Sequence, residues 1–118
     1  MPTQYKCYNG PAPTTAAQLA VTTGTAIKTM LQLKGVTALL YDVVAWGVSM
    51  DGAAAAAGVQ GELVETGTVF ATVTAHVAAD IFAWNDPNAP TSTTYFTVGT
   101  AASGYTASAE GTITATRE

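Results

Sequence analysis

The residues that could do chemistry are few in this sequence and lie far apart. There are one His, one Cys, eight acidic and four basic residues among 118. His76 and Asp80 stand four residues apart, a spacing that brings two side chains together only on a helix. A metal site would need at least one further ligand, and none lies close in the sequence. We therefore expect His76 to be a hydrogen-bonded or solvent-facing residue and predict no metal site.

The candidate nucleophiles lack the partners that catalysis requires. Ser49, Ser103 and Ser108 are not set in the Gly-flanked elbow of a nucleophilic serine, and a single histidine could serve only one of them. Cys7 follows Lys6, a neighbour that could activate its thiol slightly, but no catalytic partner accompanies it. The sequence therefore predicts no catalytic residue and no cofactor, and we do not expect an enzyme.

Charge and hydropathy exclude two classes of partner. The net charge is −4, and the four basic residues, Lys6, Lys28, Lys34 and Arg117, are spread along the chain. No basic patch could replace the counterions of a nucleic acid. No segment approaches the ~18 apolar residues of a membrane span. A single Cys and the absence of an apolar secretory core near the N-terminus predict folding in a reducing cytosol.

The first 24 residues are predicted to form an extended N-terminal arm. Pro2, Pro11 and Pro13 oppose regular pairing, and the arm carries three apolar anchors, Tyr5, Tyr8 and Leu19. Such an arm is either a disordered terminus or a segment that crosses onto a neighbouring subunit. Residues 25–118 are predicted to form the folded domain.

Alternating apolar residues predict β-strands in the first part of that domain. In residues 25–34, Ile27, Thr29, Leu31 and Leu33 share one face, while Lys28, Gln32 and Lys34 share the polar face. Residues 38–50 are apolar on both faces, so we expect a central strand covered on both sides, with Trp46 in the core. Gly47 within it predicts a bulge or the close approach of another backbone.

The rest of the chain predicts short strands separated by turns. An Asp51-Gly52 turn and an alanine-rich loop or helical turn precede a strand over 59–66. Residues 68–77 fit both a helical and a strand period, and their Thr and Val content favours a strand. Residues 78–83 are expected to form a helical turn and 85–93 an exposed loop. Further strands are predicted over 95–100, 105–109 and 112–116. This spacing indicates an all-β fold, an antiparallel β sandwich of jelly-roll type.

Four stretches carry a resemblance to a known family. They are VVAWGVSMDG (43–52), GELVET (61–66), DPNAP (86–90) and GTAASGYTASAEGTITATR (99–117). Together they resemble structural virion proteins of tailed bacteriophages infecting actinobacteria, of the capsid decoration, minor capsid or minor tail type. Members of that family often continue into a further pair of strands. The resemblance therefore implies either that a neighbouring subunit completes the sandwich or that this chain is a smaller variant.

The resemblance implies a mechanical function on the surface of a virion. The chain is expected to be a capsid decoration protein that binds the major capsid protein and copies of itself, as a homo-oligomer such as a trimer, and stabilises the head. Tyr5, Tyr8, Leu19 and Trp84 are the residues expected at its partner interfaces. The alternative is a tail-associated binding module for a host-surface glycan, for which AWNDPN (83–88) would supply an exposed aromatic ring and polar side chains.

Overall fold

The computed structural model of the chain describes residues 2–14, 26–49 and 60–116. These residues form an all-β fold, as predicted. The strands are β1 (Tyr5–Lys6), β2 (Leu31–Gln32), β3 (Val64–Thr66), β4 (Thr72–Ala75), β5 (Phe82–Ala83), β6 (Gly104–Ala109) and β7 (Ile113–Thr116), and single 3-10 turns span Ala78–Asp80 and Ser92–Thr94. None of the described residues belongs to a helix long and apolar enough to cross a membrane.

The strands pair antiparallel in three small sheets. The largest has the order β2-β6-β4, and the other two join β1 to β5 and β3 to β7. In the largest sheet Gly104 lies opposite both Gln32 on β2 and Ala75 on β4. These sheets confirm the antiparallel all-β class, whereas the two-sheet jelly-roll arrangement stays a prediction.

Strand β6 is the centre of the fold and departs from regular geometry at two points. A Cβ atom on Gly104 would lie 2.3 Å from the carbonyl oxygen of Thr74, so only glycine allows β4 to come so close. The register with β4 shifts between Thr72 and Thr74. Across this shift Thr106 has a φ of 48°, a left-handed conformation that is uncommon for a β-branched residue. The register shift and the left-handed Thr106 together mark a β-bulge in β6.

The described core is small and contains polar residues. Its buried apolar cluster consists of Ala71, Val73 and Ala107, and Ile81 and Ala102 are buried as well. The buried polar residues are Gln32, His76, Asp80, Ser92 and Ser103. Such a core removes little apolar surface from water, so polar contacts have a large share in holding the strands together.

Gln32, on the polar face predicted for residues 25–34, points inward, whereas Lys28 of the same face is exposed. Gln32 is buried, and its side-chain amide donates to the carbonyl oxygens of Ala102 at 2.6 Å and Ala71 at 3.2 Å. Its Oε1 accepts the N–H of Ala71 at 2.9 Å. One glutamine thus satisfies three main-chain groups that no strand partner reaches. Because those groups need a polar partner, Gln32 takes the inner position, and Leu31 and Leu33 of the predicted apolar face are exposed.

The prediction of a central strand over residues 38–50 is wrong. Residues 39–49 belong to no strand of the described chain, and all of them are exposed. Trp46, predicted to be a core residue, is 40% exposed. Gly61 and Leu63 lie beside part of this segment without burying it. Its hydrophobicity therefore indicates that burial would be favourable for surface that the described chain leaves exposed.

The remaining predictions have mixed outcomes. The strands at 64–66, 72–75, 104–109 and 113–116 agree with the structure. The helical turn predicted over 78–83 is a 3-10 turn at Ala78–Asp80 only, because Phe82–Ala83 is strand β5. The loop predicted over 85–93 is mostly exposed, but Ser92 is buried. Residues 95–100 are not a strand, because Tyr95 and Phe96 both donate their N–H groups to Ser92 and close a turn. The Asp51-Gly52 turn, the alanine-rich loop and residues 15–25, Leu19 among them, lie outside the described residues.

Candidate interaction surfaces

The described part of the N-terminal arm is paired with its own chain. Strand β1 lies against β5, with Tyr5 opposite Ala83 and Lys6 opposite Phe82. Beyond the strand, the N–H of Trp84 donates to the carbonyl of Gln4 at 2.8 Å. Asn85 extends the pairing, since its Oδ1 accepts the N–H of Gln4 at 2.8 Å and its Nδ2 donates to the carbonyl of Pro2 at 3.0 Å. Residues 2–6 are thus an edge of the fold.

Tyr5 and Tyr8, two of the predicted interface residues, pack onto rings of the same chain. The ring of Tyr5 lies 5.6 Å from that of Tyr95 and 5.8 Å from that of Phe96. Its hydroxyl donates to the carbonyl of Pro90. Tyr8 stacks on Phe82 at 6.3 Å. Both rings are half-buried, so in this state they hold the arm down and leave only part of their surface for a partner.

Trp84, the third predicted interface residue, is exposed. Its side chain is 63% accessible, and the ammonium of Lys6 lies 4.6 Å from the ring centroid. This is cation–π distance, so the lysine occupies one side of the indole. The polar side chains beside it are already used, because Asn85 binds the N-terminal residues and Oδ1 of Asp86 accepts the N–H of Asn88 at 2.9 Å.

His76 is buried, with 1% of its surface exposed. One ring nitrogen, Nε2, lies 2.9 Å from the carbonyl oxygen of Tyr8, and the ring is tilted against that of Tyr105 at 5.2 Å. The other nitrogen, Nδ1, has no hydrogen-bond partner among the described residues. The imidazole therefore ties the N-terminal arm to β4 through a single hydrogen bond.

Asp80 performs the same kind of task as His76. Its carboxylate accepts the N–H of Ala12 at 3.0 Å and the N–H of Val77 at 2.9 Å, which fixes the arm and closes the 3-10 turn. Within the described residues no group of three His, Cys, Asp or Glu side chains is arranged to hold a metal ion. What His76 and Asp80 share is a structural contact with the arm.

Three nucleophilic side chains of the described residues, those of Ser92, Ser103 and Cys7, are occupied or shielded. The Ser103 hydroxyl accepts the N–H of Lys34 at 2.9 Å, and the buried Ser92 hydroxyl donates to the carbonyl of Ala78 at 2.7 Å. Burial raises the pKa of the Cys7 thiol to about 11. At neutral pH Cys7 is therefore a thiol and a weak nucleophile, despite its position after Lys6.

The largest exposed feature is the segment of residues 39–48, referred to below as the apolar segment. Its large side chains are exposed by 101% for Leu40, 75% for Val44 and 59% for Val43. Leu39, Tyr41, Trp46 and Val48 are each at least 40% exposed. Its single charged residue is Asp42. Together with Gly61 and Leu63, residues 43–46 line a shallow open groove.

Tyr41 attaches the apolar segment to the rest of the fold. Its hydroxyl accepts the N–H of Val36 at 2.9 Å and donates to the carbonyl of Tyr95. Its ring lies 5.2 Å from that of Phe96. A Cβ atom on Gly35 would lie 2.1 Å from the Tyr41 ring, so glycine is needed for the ring to lie there. The segment thus leaves the fold from a firmly held point.

Sequence reasoning missed the roles of Gln32 and Tyr41. Both side chains bind main-chain groups far away in the sequence, Gln32 that of Ala102 and Tyr41 that of Tyr95. Contacts between such distant residues produce no local sequence pattern. The Gly35 and Tyr41 pair is the one detectable signal, since a glycine closing a predicted strand shortly before a tyrosine allows a ring to lie on the backbone.

Comparisons with families of known proteins, with curated proteins and with solved structures give no match to this chain. The resemblance of residues 43–52, 61–66, 86–90 and 99–117 to phage virion proteins therefore stays a prediction.

Proposed function

We propose that the chain is a structural virion protein, a capsid decoration protein that binds the outside of a phage head and stabilises it through subunit contacts. The observation that carries the proposal is the distribution of apolar surface. The buried apolar residues of the described chain are mostly Ala and Val, whereas seven large side chains of the apolar segment are exposed. Large exposed apolar patches mark sites of protein association.

The chemistry of the described residues supports a role in assembly. Its one histidine is buried and Cys7 is half-buried, and the Ser103 hydroxyl and the Asp80 carboxylate bind main-chain atoms. A protein of this kind contributes through the area and number of its contacts. Repeated over many copies on a shell, individually weak contacts add to a large resistance to disassembly by avidity.

The proposed partners are the major capsid protein and other copies of this chain. The docked arm offers one side of the contact, through the exposed parts of Tyr5, Tyr8 and Trp84. The apolar segment offers the other. Nucleic acid and membrane are not among the proposed partners, because the chain carries a net charge of −4 with scattered basic residues.

Imaging of intact particles tests the proposal directly. Particles of the virus that encodes the chain are labelled with an antibody against it and examined by electron microscopy. We expect label over the head, and stripping the protein should lower the temperature at which heads release their DNA. Label on the tail alone, or no label on particles, contradicts the proposal.

A glycan-binding module is the second candidate, and the exposure of Trp84 favours it. A solvent-facing indole can stack on a sugar ring. Binding to a glycan array that is lost in Trp84→Ala and kept in Val69→Ala, a similarly exposed position, would replace the first proposal by this one. The internal hydrogen bonds of Asn85 and Asp86 make the site poor in free polar groups, which is why the decoration function ranks first.

A further inference from the structure

We infer that the surface beneath the N-terminal arm is a peptide-binding site, which holds the chain's own residues 2–12 and takes an extended segment of another protein in their place. The segment that fits has two aromatic side chains three residues apart, as Tyr5 and Tyr8 are in the arm. This inference goes beyond the proposed function and does not depend on it. The surface, referred to below as the arm-binding surface, consists of His76, Asp80, Phe82, Asn85, Tyr95 and Phe96.

The arm is bound in the manner of an added edge strand. Among the described strands β5 pairs with β1 alone, in a sheet of two strands. The main chain of Gln4 is held on both sides, because its carbonyl accepts the N–H of Trp84 and its N–H donates to Oδ1 of Asn85. A peptide that adds to a strand edge obtains affinity from such main-chain bonds and specificity from pockets for its side chains.

Two buried side chains continue this recognition beyond the strand. Nε2 of His76 lies 2.9 Å from the carbonyl oxygen of Tyr8, and the carboxylate of Asp80 accepts the N–H of Ala12 at 3.0 Å. His76 is 1% exposed and Asp80 is 8% exposed, so leaving either without its partner is costly. Because both bind main-chain atoms, they tolerate many residue types, but proline at the second position would remove the donor.

The aromatic contacts determine which side chains the segment must carry. The ring of Tyr5 lies 5.6 Å from that of Tyr95 and 5.8 Å from that of Phe96, and Tyr8 stacks on Phe82 at 6.3 Å. These separations are within the range in which aromatic pairs attract. The spacing of the receiving rings therefore favours a segment whose own rings are three residues apart.

The arm-binding surface is held in shape by bonds that do not involve the arm. The second carboxylate oxygen of Asp80 accepts the N–H of Val77 at 2.9 Å, and the N–H of His76 donates to the carbonyl of Ser103 at 3.0 Å. In the arm itself, residues 2–9 are exposed or half-buried. A surface that is already ordered binds a peptide without the cost of ordering itself.

Binding of a labelled peptide to the full-length chain tests this inference. Because the chain's own arm competes, the apparent affinity falls by the fraction of copies whose arm is open. Fluorescence anisotropy with a peptide of residues 2–14 should show binding to a Tyr5→Ser, Tyr8→Ser double variant that is about tenfold or more tighter than to the parent. A peptide with the same two serines should not bind. Equal affinity for the parent, or no binding to a double variant that keeps the parent's circular dichroism spectrum, overturns the inference.

A matched pair of substitutions locates the bound peptide. Asn85→Ala, added to the double variant, removes the side chain that binds the main chain of Pro2 and Gln4 and should weaken peptide binding about fivefold or more. Asn88→Ala, at an exposed position of the same loop, should leave it unchanged. Equal affinities after the two substitutions would overturn the assignment of the site to this surface.

Amide exchange of the parent chain decides the question if the double variant does not fold. The amides of Gln4, Ala12 and Trp84 hold the arm in place. Their protection factors should be similar to one another and about tenfold or more below those of His76 and Ala107, which donate to Ser103 and Thr29 in the largest sheet and beside it. Arm amides as protected as these two would overturn the inference, because the arm would then leave its surface only when the whole chain unfolds.

Discussion

Two regions of the molecule invert the usual distribution of polar and apolar side chains. In the described interior, the buried amide of Gln32 and the buried carboxylate of Asp80 bind main-chain groups. In the apolar segment, Leu40 and Val44 are exposed to solvent. The difference teaches that this chain holds its own fold together with hydrogen bonds from a few polar side chains. Much of its apolar surface remains available for contacts with other molecules.

The largest effect is expected from Gln32. Gln32→Met keeps the side-chain volume and removes the partners of Ala71 N–H, Ala71 C=O and Ala102 C=O. Buried polar groups left without partners are costly, so the free energy of unfolding should fall by about 3 kcal/mol, measured by urea denaturation. Gln60→Met is the matched control, because exposed Gln60 binds only Glu62 among the described contacts. Equal midpoints for the two variants would contradict the role given to Gln32.

The alkylation rate of the Cys7 thiol is expected to report how well the arm is buried. Because burial raises its pKa from 9.0 to about 11, alkylation by iodoacetamide at pH 8 should be about a hundredfold slower in the folded chain than in urea. The raised pKa also stabilises the fold below pH 9, and this contribution is lost as the pH rises through 11. Similar alkylation rates in the folded and unfolded chain would show that the arm is not held down.

Asp80 is expected to have the next largest effect. Asp80→Ala leaves the N–H groups of Ala12 and Val77 without an acceptor, so the free energy of unfolding should fall by about 2 kcal/mol. Amide exchange at residue 12 should become faster as the arm loosens. Asp86→Ala is the control, since this carboxylate lies in the exposed loop and accepts the N–H of Asn88. A larger loss of stability for the control would reverse the assignment.

The smallest effects are expected when the same change, Val to Thr, is made separately in each of the two regions. Val73→Thr places a hydroxyl in the buried cluster and should cost about 1.5 kcal/mol. Val43→Thr makes the same methyl-to-hydroxyl replacement in the apolar segment. It should change the free energy of unfolding of a single copy by less than about 0.5 kcal/mol. Thermal unfolding at dilute concentration compares the two. A cost at Val43 equal to that at Val73 would mean that the segment is packed within its own chain.

The sequence predicts the C-terminal strands well because their signals are local. Residues 104–109 and 113–116 alternate over a few positions and are bounded by glycine or charged turns, which is enough to define short antiparallel strands. The turn at 78–80 and the loop after Asn85 follow from the same kind of evidence. The all-β class could therefore be predicted from residue types and spacing.

The two inverted regions could not be predicted, for a physical reason. Gln32 is classed as a surface residue by any hydropathy pattern, and its burial depends on Ala71 and Ala102, which are 39 and 70 residues away. The apolar pattern of residues 38–50 indicates that burying these side chains is favourable. It does not indicate whether the covering surface belongs to the same chain or to another molecule. Of the candidate site residues, Trp84 is exposed as expected, whereas Tyr5 and Tyr8 are partly occupied by rings of their own chain.

The attachment at Tyr41 limits where a binding partner can be. Counted from that ring, residues 42–49 can extend no further than about 26 Å, at ~3.3 Å for each residue. The far end of the segment lies close to Gly61, since a Cβ atom there would be 3.2 Å from a side-chain carbon of Val48. A partner that covers these residues must therefore come to the surface between Tyr41 and Gly61.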